Sequence, residues 1–347
     1  MLKTSIVSAI AVVVGMNGCS RPSAGCPPQG GGCSRQAAVE SREPRAESGW
    51  IDGTYGDAAG NRRYKLYLPG GYDASRRHML VVLLHGCTQN PDDVARGTRI
   101  AVHAEREGFL ALLPEQPSSA NLKKCWNWYD PAHQGRGGGE PSLIAGMTEQ
   151  VARDYAVDPA RIHLGGISAG AGMASLVAAA YPERYASLAL HSGLAWRAAT
   201  DVLGALGVMA KGSADADALG AAAHAAMGQR ARAIPTLVVH GGKDPVVSPA
   251  NGGHAARQWA VTNALALGGP PLRASPATAG AEGGYGWTRV CHADAAGGCA
   301  VEEWVVQELG HAWSGGSGEG TFTDERGLDA TREMVRFFRE HPMAERR

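Results

Sequence analysis

The feature that most constrains the fold of this chain is a serine within the pentapeptide Gly166-Ile167-Ser168-Ala169-Gly170. An apolar segment, residues 161–165, precedes it, and an alanine-rich run, residues 171–181, follows it. This order predicts a strand, a sharp turn and a helix, with Ser168 at the apex of the turn. Small flanking residues suit such a turn because the backbone of the serine is strained and the strand and helix approach closely. A serine hydroxyl is a poor nucleophile unless a base activates it.

A candidate acid and a candidate base follow predicted strands later in the chain. Asp244 comes just after the apolar segment 234–240, and His311 comes just after the segment 301–309. Open α/β sheets bind ligands beyond the carboxyl ends of their strands, so we expect both side chains to lie near Ser168. Serine, aspartate, histidine is also the chain order of α/β-hydrolases. We therefore predict that His311 is the general base and that Asp244 orients and stabilises its imidazole.

Alternative acids and bases are open at this point. The chain has 12 histidines, so any one of them is unremarkable. His85 precedes the serine and adjoins a glycine, and we expect it to shape a turn rather than act as the base. The rival carboxylates lie in an alanine-rich segment with no convincing strand before them; they are Asp201, Asp215 and Asp217.

A fourth strand end at the same edge of the sheet is predicted after residues 78–84, a continuously apolar segment typical of a buried strand. The segment leads into His85-Gly86-Cys87. Backbone N–H groups of this turn, together with that of Ala169, are suited to bind the negative charge that develops on a carbonyl oxygen. One such donor typically lowers the barrier by roughly 3 kcal/mol.

Aromatic residues make up only 6% of the chain, yet eight of them are tryptophans. Trp126, Trp128 and Trp313 fall in predicted loops on the catalytic edge of the sheet. We predict that they line an apolar substrate cleft, to which His85 also belongs. The alternative, given equal weight for each tryptophan, is that its side chain anchors the loop in the core.

The N-terminus is typical of an exported protein. Residues 1–18 carry one early lysine and a short apolar run, a pattern that predicts a signal peptide. Cys19 then resembles the lipidated residue of a bacterial lipoprotein, and cleavage without lipidation is the alternative. Residues 19–48 are rich in Pro, Gly, Ser and charge, which predicts a disordered tether. The catalytic domain is predicted to occupy residues 49–347.

The cysteine count agrees with an oxidising compartment, because six of the seven cysteines remain for pairing once Cys19 is set aside. The most economical pairing is Cys26–Cys33, Cys87–Cys125 and Cys291–Cys299, although six cysteines permit 15 connectivities. A zinc site built from Cys291, His292 and Cys299 is a weaker alternative, since no fourth ligand has convincing spacing. We expect neither a metal nor a cofactor.

Several segments outside these motifs have a coarse prediction. Residues 92–107 and 253–267 are expected to be helical, and residues 194–233 to form a helical cap or lid. Residues 275–300 are glycine-rich and expected to be irregular. A closing amphipathic helix over residues 324–341 should point its apolar residues inward; these are Met334, Val335, Phe337 and Phe338.

The charge balance argues against a nucleic-acid partner, because Lys plus Arg and Asp plus Glu are both 33 and no basic stripe is present. We expect a monomer whose partner is an ester substrate. Membrane attachment would occur only through a lipid on Cys19.

Taken together, the motifs resemble the esterase/polyhydroxybutyrate (PHB) depolymerase family. The segments that carry the resemblance are Leu84-His85-Gly86-Cys87-Thr88-Gln89, Cys125-Trp126-Asn127-Trp128, Gly166-Ile167-Ser168-Ala169-Gly170, Asp244-Pro245-Val246-Val247 with Asn251-Gly252, and Gly310-His311-Ala312-Trp313-Ser314-Gly315-Gly316. The resemblance implies an α/β-hydrolase fold, a mostly parallel central sheet flanked by helices. It also implies a triad of Ser168, Asp244 and His311, with the Cys87 and Ala169 amides as the oxyanion hole.

The expected function is that of a secreted or lipid-anchored serine esterase acting on 3-hydroxybutyrate polymer or oligomers. Extracellular depolymerases usually carry a polymer-binding domain after the catalytic unit, and this chain ends at Arg347. We therefore expect soluble oligomers or amorphous polyester to be preferred over crystalline polymer. The alternatives are a feruloyl or acetyl xylan esterase, a serine peptidase, and a non-catalytic envelope lipoprotein on a hydrolase fold.

Overall fold

The computed structural model describes residues 48–213 and 215–344, which belong to one compact unit, Pro44–Arg347. The predicted signal peptide, the lipidation site Cys19, the pair Cys26–Cys33 and the tether up to residue 47 lie outside the described residues. No helix among the described residues has the length and apolar character needed to cross a membrane.

An 11-stranded sheet organises the described part of the chain, in the order β1-β2-β4-β3-β5-β6-β7-β11-β10-β8, with β9 paired to β10. The six central strands, from β4 to β11, are parallel, and antiparallel strands extend both edges. The strands are β1 (Gly49–Asp57), β2 (Gly60–Leu68), β3 (His78–Leu84), β4 (Leu110–Pro114), β5 (Val157–Ile167), β6 (Leu188–His191), β7 (Thr236–Gly241), β8 (Arg273–Ala274), β9 (Thr278–Glu282), β10 (Tyr285–Ala293) and β11 (Cys299–Val306). A two-stranded sheet pairs β12 (Trp313–Ser314) with β13 (Thr323–Asp324).

Helices cover both faces of the large sheet. They are α1 (Pro91–Thr98), α2 (Ile100–Glu107), α3 (Gly139–Asp154), α4 (Ala169–Ala180), α5 (Val202–Lys211), α6 (Ala216–Met227), α7 (Ala250–Leu267) and α8 (Ala330–Glu340), with 3₁₀ turns at Pro131–His133 and Gly228–Arg230. All seven residues of β3 are buried. Because side chains alternate along a strand, Leu80 and Val82 pack under α3, α4 and α7, whereas Val81 and Leu83 pack under α1, α2 and α8. This doubly covered parallel sheet confirms the α/β-hydrolase fold.

Two local predictions were wrong. Residues 275–300 are not irregular, because they form β9, β10 and the start of β11 at the antiparallel edge. Four of the six glycines lie in two tight turns, at 283–284, where φ is 57° and 84°, and at 297–298. β9 is mostly exposed, so it lacks the apolar pattern of a strand. The single helix expected over residues 92–107 is two helices, separated at Arg99, which has a left-handed φ of 53°.

The other helical predictions were closer. Residues 194–233 hold α5 and α6, and the closing helix α8 buries Met334, Val335, Phe337 and Phe338 as expected. The C-terminal end of α5 is fastened to the loop after β7, where the Ser248 N–H donates to the carbonyl of Met209 (2.7 Å). A cap or lid role for these helices stays a prediction.

Candidate active site

Ser168 lies at the sharp turn between β5 and α4, with φ of 57° and ψ of −123°. A left-handed φ at a serine is strained, at a typical cost of about 1–3 kcal/mol. The turn requires its glycines: a Cβ on Gly166 would lie 2.5 Å from the Gly170 carbonyl, and a Cβ on Gly170 would lie 2.4 Å from the Leu84 oxygen. The Ser168 N–H donates to the carbonyl of His191 (2.9 Å), which fixes the apex to the end of β6.

His311 and Asp244 both reach the serine edge of the sheet. The distance between His311 Nε2 and Ser168 Oγ is 3.0 Å, and that between His311 Nδ1 and Asp244 Oδ2 is 2.7 Å. A carboxylate only accepts hydrogen bonds, so Nδ1 carries the proton and donates a hydrogen bond to Asp244. Nε2 is then free to accept a hydrogen bond from the Ser168 hydroxyl. The three side chains thus form a continuous hydrogen-bonded chain although their residues are far apart in sequence.

The Asp244 side chain is fully buried. Its Oδ1 accepts hydrogen bonds from the N–H groups of Val246 (2.9 Å) and Val247 (2.8 Å). Burial by itself would raise the pKa of this carboxyl, but hydrogen bonds from His240 and His311 outweigh burial and hold the pKa well below its usual value. Asp244 is therefore an anion at neutral pH.

The rival carboxylates have other contacts. Asp201 caps α5 by accepting from the Gly204 N–H (2.8 Å), and Asp215 caps α6 by accepting from the Ala218 N–H (2.9 Å). Asp217 pairs with Arg257 on the surface. Their contacts assign them to helix termini and an exposed ion pair.

The His85-Gly86-Cys87 turn lies beside Ser168, since a Cβ added at Gly86 would be 3.4 Å from the Ser168 Cβ. His85 Nδ1 donates to the Gly86 carbonyl (2.7 Å), and its Nε2 accepts from the Gln116 N–H (3.0 Å). The Gly86 carbonyl and the Cys87 N–H belong to one trans peptide, in which they point in opposite directions. Anchoring the carbonyl on His85 therefore sets the direction of the Cys87 N–H.

The second predicted donor of the oxyanion hole, the Ala169 N–H, begins α4. The first N–H groups of a helix have no partner within the helix, and the helix dipole favours negative charge at this end. The Cys87 and Ala169 amides thus belong to the two turns that meet at Ser168.

His85 is fully buried, and burial lowers its pKa to about 4. Both of its ring nitrogens are occupied by backbone groups. The sequence-based assignment of His85 to a substrate-binding surface was therefore wrong, because its ring is closed off from any ligand. Its expected part in shaping the turn agrees with these contacts.

The three tryptophans expected in a substrate cleft are also buried: Trp126 is 0% exposed, Trp313 3% and Trp128 4%. Trp128 packs on the backbone of Gly172, and Trp313 stacks on His191 with ring centroids 4.7 Å apart. Trp126 and Trp128 lie in the loop after β4 and Trp313 lies in β12, and all three indoles belong to the apolar core. Cleft lining was wrong for all three in this conformation, and the alternative of core anchoring holds.

Two disulfides are present among the described residues, Cys87–Cys125 and Cys291–Cys299, both of them pairs suggested by the sequence. The first ties the turn after β3 to the loop after β4. The second consumes both thiols of the alternative zinc site and so excludes it. Among the described residues, no cluster of His, Cys, Asp and Glu has the arrangement of a metal site.

Several supporting residues escaped the sequence analysis because they carry no local pattern. Glu140, fully buried, accepts from the side chains of Gln116 (2.5 Å) and Asn127 (2.7 Å) behind the turn that holds Cys87. The His191 ring accepts from the Ser314 N–H (3.2 Å) while its carbonyl holds Ser168. Phe322 was also missed; it is 44% exposed and contacts the His311 ring. Its one sequence signal is its position in the glycine-rich segment that follows His311.

Comparison with known proteins identifies the family of this chain. A family model described as "Esterase PHB depolymerase" matches residues 62–275, more than half of the chain. Poly(3-hydroxyalkanoate) depolymerase C of Paucimonas lemoignei is 31% identical over 214 residues, which cover 59% of this chain and 49% of that protein. Feruloyl esterase B of Neurospora crassa is 32% identical over 142 residues, which cover 41% of this chain and 47% of that protein. This chain spans about half the length of these curated relatives.

A solved structure supports the fold independently. The acetyl xylan esterase from Aspergillus awamori has a TM-score of 0.65 and 21% sequence identity, and the match covers 84% of this chain and 98% of that chain. The family match includes Ser168 and Asp244, and His311 lies beyond it. Since the match spans more than half of the sequence and the fold is shared, this chain belongs to the esterase/PHB depolymerase family.

Proposed function

We propose that this chain is a serine esterase that hydrolyses short-chain polyhydroxyalkanoate esters, as polymer or oligomers, through an acyl-enzyme on Ser168. The observation that carries the proposal is the hydrogen-bonded chain from Asp244 through His311 to Ser168. Both contacts have the lengths of well-formed hydrogen bonds, which supports His311 as the base and Asp244 as its orienting acid.

In the first half of the reaction, His311 Nε2 takes the proton of Ser168 Oγ as this oxygen attacks the ester carbonyl carbon. The tetrahedral intermediate places its negative oxygen against the N–H groups of Cys87 and Ala169. The imidazolium that forms donates through Nδ1 to Asp244, whose low pKa keeps the carboxylate charged. The imidazolium then gives the proton from Nε2 to the leaving alcohol oxygen, and the acyl-enzyme remains.

In the second half, water takes the place of the alcohol. His311 Nε2 removes a proton from this water as its oxygen attacks the acyl carbon, and the same two amides bind the new oxyanion. Breaking the bond to Ser168 Oγ, with the proton returned from Nε2, releases the carboxylic acid. The cycle uses no group beyond the residues named here.

The polyester substrate is favoured by the likeness to a polyhydroxyalkanoate depolymerase and by apolar residues exposed beside the triad. Phe322 and Val246 are each 44% exposed; Val246 donates its N–H to Asp244, and Phe322 contacts His311. A second candidate, a feruloyl or acetyl xylan ester, is favoured by the likeness to feruloyl and acetyl xylan esterases.

We also propose that the protein acts outside the cytoplasm, either secreted or held by a lipid on Cys19. The disulfides Cys87–Cys125 and Cys291–Cys299 support an oxidising compartment. Expression with and without a Cys19→Ala substitution tests the anchor: membrane-bound wild type and soluble variant support lipidation, and equal solubility argues for secretion alone.

The nucleophile is tested with Ser168→Ala, compared with Ser142→Ala, a serine on α3 that bonds only the Gly139 carbonyl. Hydrolysis of p-nitrophenyl butyrate and labelling by a fluorophosphonate probe should vanish in Ser168→Ala and persist in Ser142→Ala. Retained turnover in Ser168→Ala refutes the mechanism. A wild-type protein that is inert to both reagents would favour a non-catalytic role.

The substrate class is tested by product release from amorphous PHB, soluble 3-hydroxybutyrate oligomers and feruloylated or acetylated xylan, assayed side by side. Release of 3-hydroxybutyrate units with no ferulate or acetate supports the first candidate. The reverse result selects the second, and leaves the triad mechanism standing.

A further inference from the structure

Phe322 is the one phenylalanine of the chain that is not in the core. Phe109, Phe337 and Phe338 are fully buried, whereas Phe322 is 44% exposed. Burying such a ring typically contributes roughly 1.5–3 kcal/mol. A ring that stays 44% exposed gains only part of that contribution.

The ring lies against the catalytic histidine. The ring centroids of Phe322 and His311 are 6.1 Å apart, with planes at 75°, which is an edge-to-face contact. The imidazole is itself nearly buried, with 7% of its side chain exposed. Phe322 therefore combines a partly exposed ring with contact to an imidazole that is itself almost closed to solvent.

The backbone of Phe322 is held in a conformation that phenylalanine rarely adopts. Its φ is 51°, in the left-handed region that favours glycine. Hydrogen bonds on both sides hold it there: the Trp313 N–H donates to the Phe322 carbonyl (2.7 Å), and Thr321 donates its N–H (3.0 Å) and its hydroxyl to Asp93. These hydrogen bonds stabilise a strained backbone at a residue whose ring is exposed.

The same loop is tied to the turn that carries Cys87. Gln89 accepts from the Gly86 N–H through Oε1 (2.8 Å) and donates through Nε2 to the Thr321 carbonyl (2.8 Å). The position of Phe322 is therefore fixed relative to both His311 and the predicted oxyanion hole. Because the backbone of Phe322 is held from two sides, its ring has a defined position, which suits it to discriminate among substrates.

We propose that Phe322 determines specificity by contacting the leaving alcohol of the ester, an inference that rests on the proposed function. His311 Nε2 must come within hydrogen-bond reach of the leaving oxygen to protonate it. The first carbons of the alcohol therefore pass beside the imidazole, next to the ring of Phe322. An alcohol with an apolar face gains contact there, and methanol does not. In a polyester the leaving alcohol is the next hydroxyacyl unit of the chain.

The test compares two ester series in wild type, Phe322→Ala and Phe322→Tyr. The alcohol series keeps butyrate and varies methyl, butyl and benzyl; the acyl series keeps the methyl alcohol and varies acetate, butyrate and hexanoate. In Phe322→Ala we expect the ratio of kcat/KM for benzyl to methyl butyrate to fall about 10-fold, within the range for losing one apolar contact. Phe322→Tyr keeps the ring and should retain the wild-type ratio.

Trp50→Ala is the matched control, since Trp50 is an exposed aromatic residue (36%) on the edge strand β1. It should leave both ratios unchanged. A fall in Phe322→Ala that is equal for every alcohol, a change confined to the acyl series, or no change at all overturns the proposal. If the wild type hydrolyses none of these esters, the proposed function itself fails, so the two failures are distinguishable.

Discussion

The role of His85 in aiming the Cys87 N–H can be tested with two substitutions. His85→Leu removes both the donor to the Gly86 carbonyl and the acceptor for the Gln116 N–H. His85→Asn places an amide nitrogen near the former Nδ1 position and keeps the first bond alone. If the freed peptide rotates, the oxyanion loses one donor, which typically costs 10²–10³-fold in kcat.

The expected effect of His85→Leu is a decrease of about 100-fold in kcat with a small change in KM, because the donor acts mainly in the transition state. His85→Asn should lose less. Stability should also fall, since each orphaned buried group costs about 1–3 kcal/mol and His85→Leu leaves two of them. Activity must therefore be measured at a temperature where circular dichroism shows the variant to be folded.

A trifluoromethyl ketone gives an independent measure, because it forms a tetrahedral adduct with the serine and places an oxyanion in the same position. Its inhibition constant should rise by about the factor by which kcat/KM falls. A folded His85→Leu protein with kcat within about threefold of wild type would refute the assignment. So would a large loss of kcat with unchanged inhibitor affinity.

Burial lowers the pKa of His85 to about 4 and that of His163 and His191 to about 3, so each is neutral when folded and binds a proton on unfolding below about pH 6.5. The free energy of unfolding should be highest above this pH and should decrease as pH drops from about 6.5 to 4, by ~3 kcal/mol from His85 alone. Urea midpoints that stay constant over this range would contradict this prediction. Replacing Cys87 and Cys125 by serine opens a loop with a sequence separation of 38 and should cost ~4 kcal/mol of unfolding free energy together with a decrease in kcat/KM. Replacing Cys291 and Cys299, with a sequence separation of 8, should cost ~2.5 kcal/mol of unfolding free energy and leave kcat/KM unchanged. An equal loss of activity in both double variants would show that the Cys87–Cys125 disulfide has no specific effect on the site.

The sequence predicted the parts of this molecule that depend on local patterns. Continuous apolar runs marked β3 and β7 because strands buried on both faces have no polar alternation. The same logic placed Ser168, Asp244 and His311 at strand ends, and the parallel order of the sheet brings those ends to one edge. A short pattern and a topological rule were sufficient to predict their proximity.

The sequence could not show which way a loop residue faces. Trp126 and Phe322 are both aromatic residues in irregular segments, yet one is 0% exposed and the other 44%. Each segment is held by partners distant in sequence: the Cys87–Cys125 disulfide adjoins Trp126, and Asp93 accepts from Thr321, the residue before Phe322. Long-range contacts of this kind leave no periodic signal in the chain.

One residue at the end of β6 supports two members of the triad. The carbonyl of His191 receives the Ser168 N–H, and its ring receives the N–H of Ser314, three residues after His311. Small displacements of this strand terminus should therefore move Ser168 and the segment of His311 in the same direction. We expect motion of the strand terminus to be shared by both residues, so that the distance from Ser168 Oγ to His311 Nε2 varies less than the position of either residue.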